Sequence, residues 1–255
     1  MYIDTHAHLQ FEQFDLDREK VIQSAIQNKI NGIITVGTDL ASSRKAVALA
    51  EKFAIIYSAV GIHPNDCENS DEFLLKQIEE MATYRKSVAI GEIGLDYYRM
   101  VSSKEKQHRF FRMQIQLAKK LQLPLIIHNR DAQKDIYDIL CEEGAKKIRG
   151  VLHSFSGDFK FMEAILDLNF YISFTGSVTF KNANYYKLIN NVPLKQLILE
   201  TDSPFLAPVP FRGKRNEPAY IKYIAEKIAK IKNLSVLELG EITTENAHNL
   251  FHFQH

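Results

Sequence analysis

The sequence predicts a single closed (β/α)₈ TIM barrel spanning residues 1–255. Eight short runs of β-branched and aliphatic residues recur along the chain, each followed by a turn signal and a longer stretch of helical periodicity. The runs are almost continuously apolar, which is the pattern of strands in a parallel sheet covered by helices. Eight such units in 255 residues fit a barrel better than an open doubly wound sheet, which usually stops sooner. No Gly-rich phosphate loop opens the first helix, which also disfavours a dinucleotide-binding sheet.

In chain order, YIDTH at 2–6 precedes an amphipathic stretch at 17–29, and GIITVG at 32–37 precedes 42–52. IIYSAVG at 55–61 leads to 71–84, and SVAIGE at 87–92 leads to 103–121. LPLIIH at 123–128 is followed by 132–143, with Asp131 placed to cap that helix. GVLHS at 150–154 is followed by 160–168, and FYISFTG at 170–176 by 182–190. QLILET at 196–201 ends in a proline-rich stretch from Pro204 to Pro210, a stiff loop rather than a domain boundary. Helices at 217–230, with Pro218 in the first turn, and at 235–253 close the chain.

Thirty-two basic residues oppose thirty-one acidic ones, a formal charge of +1, so no global field draws the chain to nucleic acid or membranes. Affinity for an anionic polymer must come from a local patch or from bound cations. Cys67 and Cys141 fit no C-x-x-C pattern and read as packing residues of a reducing compartment. The first residues lack a basic segment followed by an apolar one, and no apolar run approaches the roughly 20 residues of a membrane span. The expected location is the cytoplasm.

Polar residues collect where the strands end. In the stretch THAH, His6 and His8 are two apart, so in an extended strand they emerge on one side, together with Asp4. Glu92 ends the fourth run, His128 the fifth, His153 lies at the end of the sixth, and Asp202 follows the eighth. In barrels of this type the chemistry gathers at these C-terminal strand ends. Each of the six is a good ligand for a divalent metal, and burying such groups without partners is costly.

Six ligands exceed what one tetrahedral ion uses, and suit two divalent ions (Mg²⁺, Mn²⁺ or Zn²⁺) about 3.5–4 Å apart. Glu92, with two oxygens, is the natural bridge. His6, His8 and Asp202 would hold one ion, and His128 and His153 the other. A water between two such ions loses its proton near neutral pH, and Asp202 is placed to orient it and accept that proton. Asp202 and Glu92 are therefore the candidate catalytic residues of a hydrolase.

These residues lie in the strings DTHAHL (4–9), GIHP (61–64), GEIGLDYYR (91–99), PLIIHNRDA (124–132), VLHSFSG (151–157), ETDSPFLAP (200–208) and RGKRNEP (212–218). Together they resemble the TatD-type metal-dependent deoxyribonucleases of the amidohydrolase superfamily, in order along the whole chain. The resemblance implies a barrel, two divalent ions and hydrolysis of phosphodiester bonds in DNA, often from 3′ to 5′. It assigns metal binding to His6, His8, Glu92, His128, His153 and Asp202. Asn65-Asp66-Cys67 and Ser154 depart from the family's usual residues without replacing a ligand.

Other rim residues carry two readings each. His63 contacts a phosphate or leaving group, or else bonds to a neighbouring loop. Arg130 forks a phosphate or pairs with an acidic neighbour. Arg212, Lys214 and Arg215 form a dense basic cluster after the eighth strand, where a nucleic-acid backbone needs neutralising, although most charge runs are merely solvated. Tyr97, Tyr98 and Phe155 either stack an unpaired base or pack loops. Asp4 and Asp96 bind a lysine or orient a ligand histidine. The competing functions are an amide or ester hydrolase, a deacylase acting on mischarged transfer RNA, and a metal-holding nucleic-acid-binding or structural protein without turnover.

Overall fold

The structure is a computed structural model and describes residues 1–253. Strands β1 (Tyr2–Ala7), β2 (Ile30–Val36), β3 (Ile56–Val60), β4 (Ser87–Asp96), β5 (Leu125–Arg130), β6 (Gly150–Leu152), β7 (Tyr171–Phe174) and β8 (Leu197–Leu199) lie in sequence order. Each pairs in parallel with the next. The seam between β8 and β1 is drawn together just beyond β8, where Asp202 N–H donates to His6 O at 2.8 Å and His8 N–H to Ser203 O at 2.7 Å. The result is a nearly closed (β/α)₈ barrel.

Helices α1 (Arg18–Gln27), α2 (Leu40–Lys52), α3 (Glu72–Ala82), α4 (Lys104–Leu121), α5 (Gln133–Glu142), α6 (Phe159–Asp167), α7 (Tyr186–Asn191) and α8 (Ile221–Lys232) surround it, followed by α9 (Val236–Phe251). Several begin where the side chain ahead of them satisfies a free N–H: Asp39 takes Ser42 N–H at 2.6 Å, and Asp158 takes Phe161 N–H at 2.7 Å. Among the described residues no helix is long and apolar enough to cross a membrane.

Two apolar clusters explain how the sheet presents its site. One lies between barrel and helices, where Ile33, Ile56, Leu125 and Leu197 meet Phe110, Ile136 and Ile224. The other contains the alternate strand residues Ile34, Ile126, Val151 and Ile198, together with Leu250, Phe251 and Phe253 from the end of the chain. Period-two alternation carries this second face onward from Ile126 to His128, from Val151 to His153, and from Ile198 to Glu200 and Asp202. An apolar plug at one end of the barrel thus becomes a polar rim at the other.

Three elements differ from expectation. β4 runs past Glu92 to Asp96, all ten residues buried, because Ile93, Gly94 and Leu95 continue the pairing with β5. Gly94 permits this approach: its φ is +135°, and an added Cβ would fall 2.1 Å from His128 O. The helix expected at 182–190 is the shorter α7, following a 3₁₀ turn at Gly176–Thr179. Asn182 and Asn184 favour turns over helix interiors. Asp131 does not cap α5, since it sits in the left-handed region (φ 56°) and Ala132 occupies the N-cap.

Candidate metal centre

Glu92 lies at the centre of the rim, 5% exposed, and both its oxygens face imidazoles. His128 Nδ1 and His153 Nε2 each approach Oε1 at 2.8 Å, and His63 Nε2 is 3.6 Å away. His6 and His8 Nε2 lie 3.5 and 3.7 Å from Oε2. Asp202 Oδ1 faces the same two rings at 3.8 and 3.5 Å. The six strand-end residues named from the sequence are therefore gathered in one place.

The grouping differs from the expected partition. Ligand atoms of His6, His8 and Glu92 lie within 4.8 Å of one another, as do those of His6, His153 and Asp202, and those of His63, Glu92 and His128. His153 was expected beside His128 alone, yet its ring stacks on His6 with centroids 4.1 Å apart, so it stands between the two halves. His63 was expected to meet substrate or a loop. It accepts Asn65 N–H at Nδ1, 3.1 Å away, and turns Nε2 toward Glu92 as a seventh candidate donor.

Outer contacts aim these rings. His8 Nδ1 donates to Val36 O at 2.8 Å, which leaves its Nε2 lone pair facing inward. Asp96 Oδ2 stands 3.5 Å behind His128 Nε2 and accepts Asn65 Nδ2 at 3.0 Å, while Oδ1 accepts Arg99 N–H at 2.8 Å. Asp96 is thus placed behind the His128 ring, with no lysine paired to it among the described residues. Asp4 meets no lysine among the described residues: fully buried, it accepts the N–H and hydroxyl of Thr201 at 2.9 and 2.6 Å and the His6 N–H at 3.4 Å. These contacts set His6 and His8 against Asp202, which holds a left-handed backbone (φ 57°) of the kind that concentrates at functional sites.

Sequence reasoning missed Glu200. It is fully buried, accepts Ser154 N–H at 2.5 Å and the Ser173 hydroxyl at 2.7 Å, and places Oε1 3.8 Å from His153 Nδ1. The signal was available, because Glu200 follows Ile198 of β8 by two, on the alternation that faces the barrel interior.

The electrostatics are those of a cation site. Burial alone would raise Glu92, but His153, His63 and His128 hold it well below the usual carboxylate range. Asp202 is likewise lowered against burial, by His8, His6 and His153. Burial lowers His6 to about 4 and His63 to about 3. Burial opposes protonation of His153 too, but Glu92, Glu200 and Asp202 outweigh it and raise it to about 9. Among the described residues no lysine or arginine pairs with Glu92 or Asp202. Two ionised carboxylates facing five imidazole rings, with buried nitrogens such as His6 Nδ1 lacking any hydrogen-bond partner, make a donor set that divalent cations fit.

The expected basic cluster divides. Arg215 is an internal brace, bidentate on Asp17 at 2.8 and 2.7 Å, 3.1 Å from Glu217, and stacked over Phe14. Its expected substrate role is corrected accordingly: Asp17, near the other end of the chain, already neutralises it. Arg212 stacks over Phe180 at 4.4 Å with no carboxylate partner among the described residues, and Lys214 lies 5.9 Å over Phe211. Arg130 stacks 4.0 Å over Tyr98, which is 65% exposed. Phe155 is buried and the Tyr97 hydroxyl is bound by His108 and Asp135, so neither offers a free face.

A (β/α)₈ barrel that gathers five imidazoles and two carboxylates at its C-terminal rim has the architecture of a metal-dependent hydrolase. The chain belongs to the TatD family: a family model described as TatD related DNase matches residues 3–252. It is 48% identical to YabD of Bacillus subtilis, named as a metal-dependent hydrolase, over 98% of this chain and 99% of that one. It is 34% identical to the 3′-5′ ssDNA/RNA exonuclease TatD of Pectobacterium parmentieri, over 97% and 98%. The crystal structure of a TatD homologue from Escherichia coli superposes with a TM-score of 0.92, at 30% identity, covering 99% and 98%.

Proposed function

We propose that the chain, acting as one catalytic domain, is a deoxyribonuclease that hydrolyses phosphodiester bonds and removes nucleotides from the 3′ ends of single strands. The observation that carries this reading is Glu92, each of whose oxygens faces at least two imidazole nitrogens 2.8–3.7 Å away. His6, His8, Glu92, His128, His153 and Asp202 would hold two divalent cations, Mg²⁺, Mn²⁺ or Zn²⁺, with Glu92 between them and His63 as a further donor. Bound there, such ions supply Lewis acidity toward a phosphoryl oxygen and lower the pKa of water.

The chain's own residues complete the chemistry. Asp202, held ionised beside His6 and His8, orients the attacking water and accepts its proton. Asp96 and Glu200 fix the rings of His128 and His153. Arg130, Arg212 and Lys214 contribute positive charge at the rim for the phosphates of the strand. The named activity of the Pectobacterium relative supports the same substrate class. The unpaired thiols of Cys67 and Cys141 support a reducing, cytoplasmic setting.

The test is incubation of the purified protein with end-labelled single-stranded DNA and Mg²⁺ or Mn²⁺, repeated with Glu92→Ala. Progressive shortening that the substitution abolishes is expected. An uncut strand, or cutting that survives Glu92→Ala, would remove the nuclease reading.

A further inference from the structure

Two cavities open among the loops at the C-terminal ends of the strands, and they differ in charge. One of about 630 Å³, between the loops after β2 and β3, is lined by the carboxylates of Asp39, Asp66 and Glu68 with Arg44. The other, about 470 Å³, is built by the loops after β6, β7 and β8. Its polar lining consists of hydroxyls from Ser156 and Ser177, the carboxamides of Asn182 and Asn184, Tyr185 and the Arg212 guanidinium, and among the described residues no carboxylate lines it. An anionic strand is repelled by the first and accepted by the second.

The second cavity is preset for a phosphate and a base. Arg212 is held over the Phe180 ring at 4.4 Å, and no carboxylate among the described residues neutralises it, unlike Arg215 three residues on. A guanidinium so placed offers a fork of donors to phosphate oxygens. Carboxamides pair with base edges, adenine above all, and a tyrosine adds an aromatic face. The volume lies within the roughly 300–1,000 Å³ of small-ligand sites. It suits one nucleotide rather than a length of strand.

We propose that this cavity, whose Ser156 stands three residues beyond His153, seats the terminal nucleotide of the strand being degraded, its base against Asn182, Asn184 and Tyr185 and its 5′-phosphate shared between Arg212 and the metal centre. The inference rests on the phosphodiesterase reading and deepens it. Water adds to phosphorus, the bond from phosphorus to the 3′ oxygen of the preceding nucleotide breaks, and a proton ends on that oxygen. The product is a deoxynucleoside 5′-monophosphate, which the cavity binds.

The experiment is equilibrium dialysis of the metal-loaded full chain against radiolabelled deoxyadenosine 5′-monophosphate, with cleavage of single-stranded DNA measured in parallel. Arg212→Gln and the double variant Asn182→Ala/Asn184→Ala alter exposed side chains, and circular dichroism verifies their folding. Losing a charge-assisted hydrogen bond predicts binding about tenfold weaker or more in Arg212→Gln. The double variant binds more weakly than the unmodified chain, and deoxyadenosine binds more weakly than its monophosphate. Equal binding by the unmodified chain and both variants would overturn the inference, placing the phosphate elsewhere on the rim. So would inorganic phosphate competing as well as the nucleotide. Arg212-dependent binding without DNA cleavage would sink the nuclease reading and leave the cavity a nucleotide site.

Discussion

Replacing Glu200 with glutamine removes a charge behind His153 while keeping the shape of a fully buried side chain. A carboxamide preserves both hydrogen bonds, since its oxygen still accepts Ser154 N–H and the Ser173 hydroxyl rotates to accept from its nitrogen. What disappears is the attraction between Glu200 and a proton on His153 Nδ1. At 3.8 Å and an effective dielectric of about 20, that attraction is roughly 4 kcal/mol. Loss of an outer partner of this kind typically costs about 10–100-fold in metal affinity or activity, and kcat/KM of Glu200→Gln at pH 8 is expected to fall in that range. In the metal-free protein burial, the dominant influence, pushes the Glu200 carboxyl up to about 7.

Stability changes in the opposite sense. The folded-state value lies above the ordinary 4.5, so the neutral form's contribution is complete below 4.5 and is lost as pH rises through about 7. That loss is on the order of 3 kcal/mol, and glutamine escapes it. In EDTA, the melting temperature of Glu200→Gln relative to the unmodified protein should rise with pH. Unaltered kcat/KM together with unaltered metal affinity at pH 8 would refute the role assigned to Glu200.

Gly94→Ala places a methyl group against His128 O at a φ that side chains rarely adopt, and should lower the melting temperature by roughly 10 °C; an unchanged thermal transition would contradict the close packing of β4 on β5. Arg215→Ala removes the partly exposed pair with Asp17, worth about 1 kcal/mol, so the melting temperature drops by roughly 2–4 °C while KM for single-stranded DNA stays within about twofold. Arg212→Gln should do the reverse, raising KM with little thermal effect. If KM rose equally in both variants, Arg215 would return to the substrate side.

The strands were legible because a barrel buries them on both faces, leaving apolar runs that few other arrangements tolerate. The convergence of the six candidate ligands was legible for a related reason: a carboxylate or imidazole ending such a run needs a partner, and a barrel brings all its strand ends to one rim. What escaped depends on contacts distant in the chain. Nothing local to Arg215 announces Asp17, 198 positions away, and nothing local to Asp4 announces Thr201. His63 showed its strand-end position but not that its ring turns toward Glu92. The length of α7 was missed because apolar spacing persists through Asn182 and Asn184, where the backbone prefers a turn.

The central claim is that seven side chains from six strand ends converge to hold a pair of divalent cations around Glu92. Equilibrium dialysis against Mn²⁺, with bound metal counted per chain and the spectrum followed by electron paramagnetic resonance, tests it directly. Two ions per chain with the broadened signal of a coupled pair are predicted, and Glu92→Ala should lose the coupling together with at least one ion. Substoichiometric binding, or two uncoupled ions that Glu92→Ala leaves in place, would contradict it.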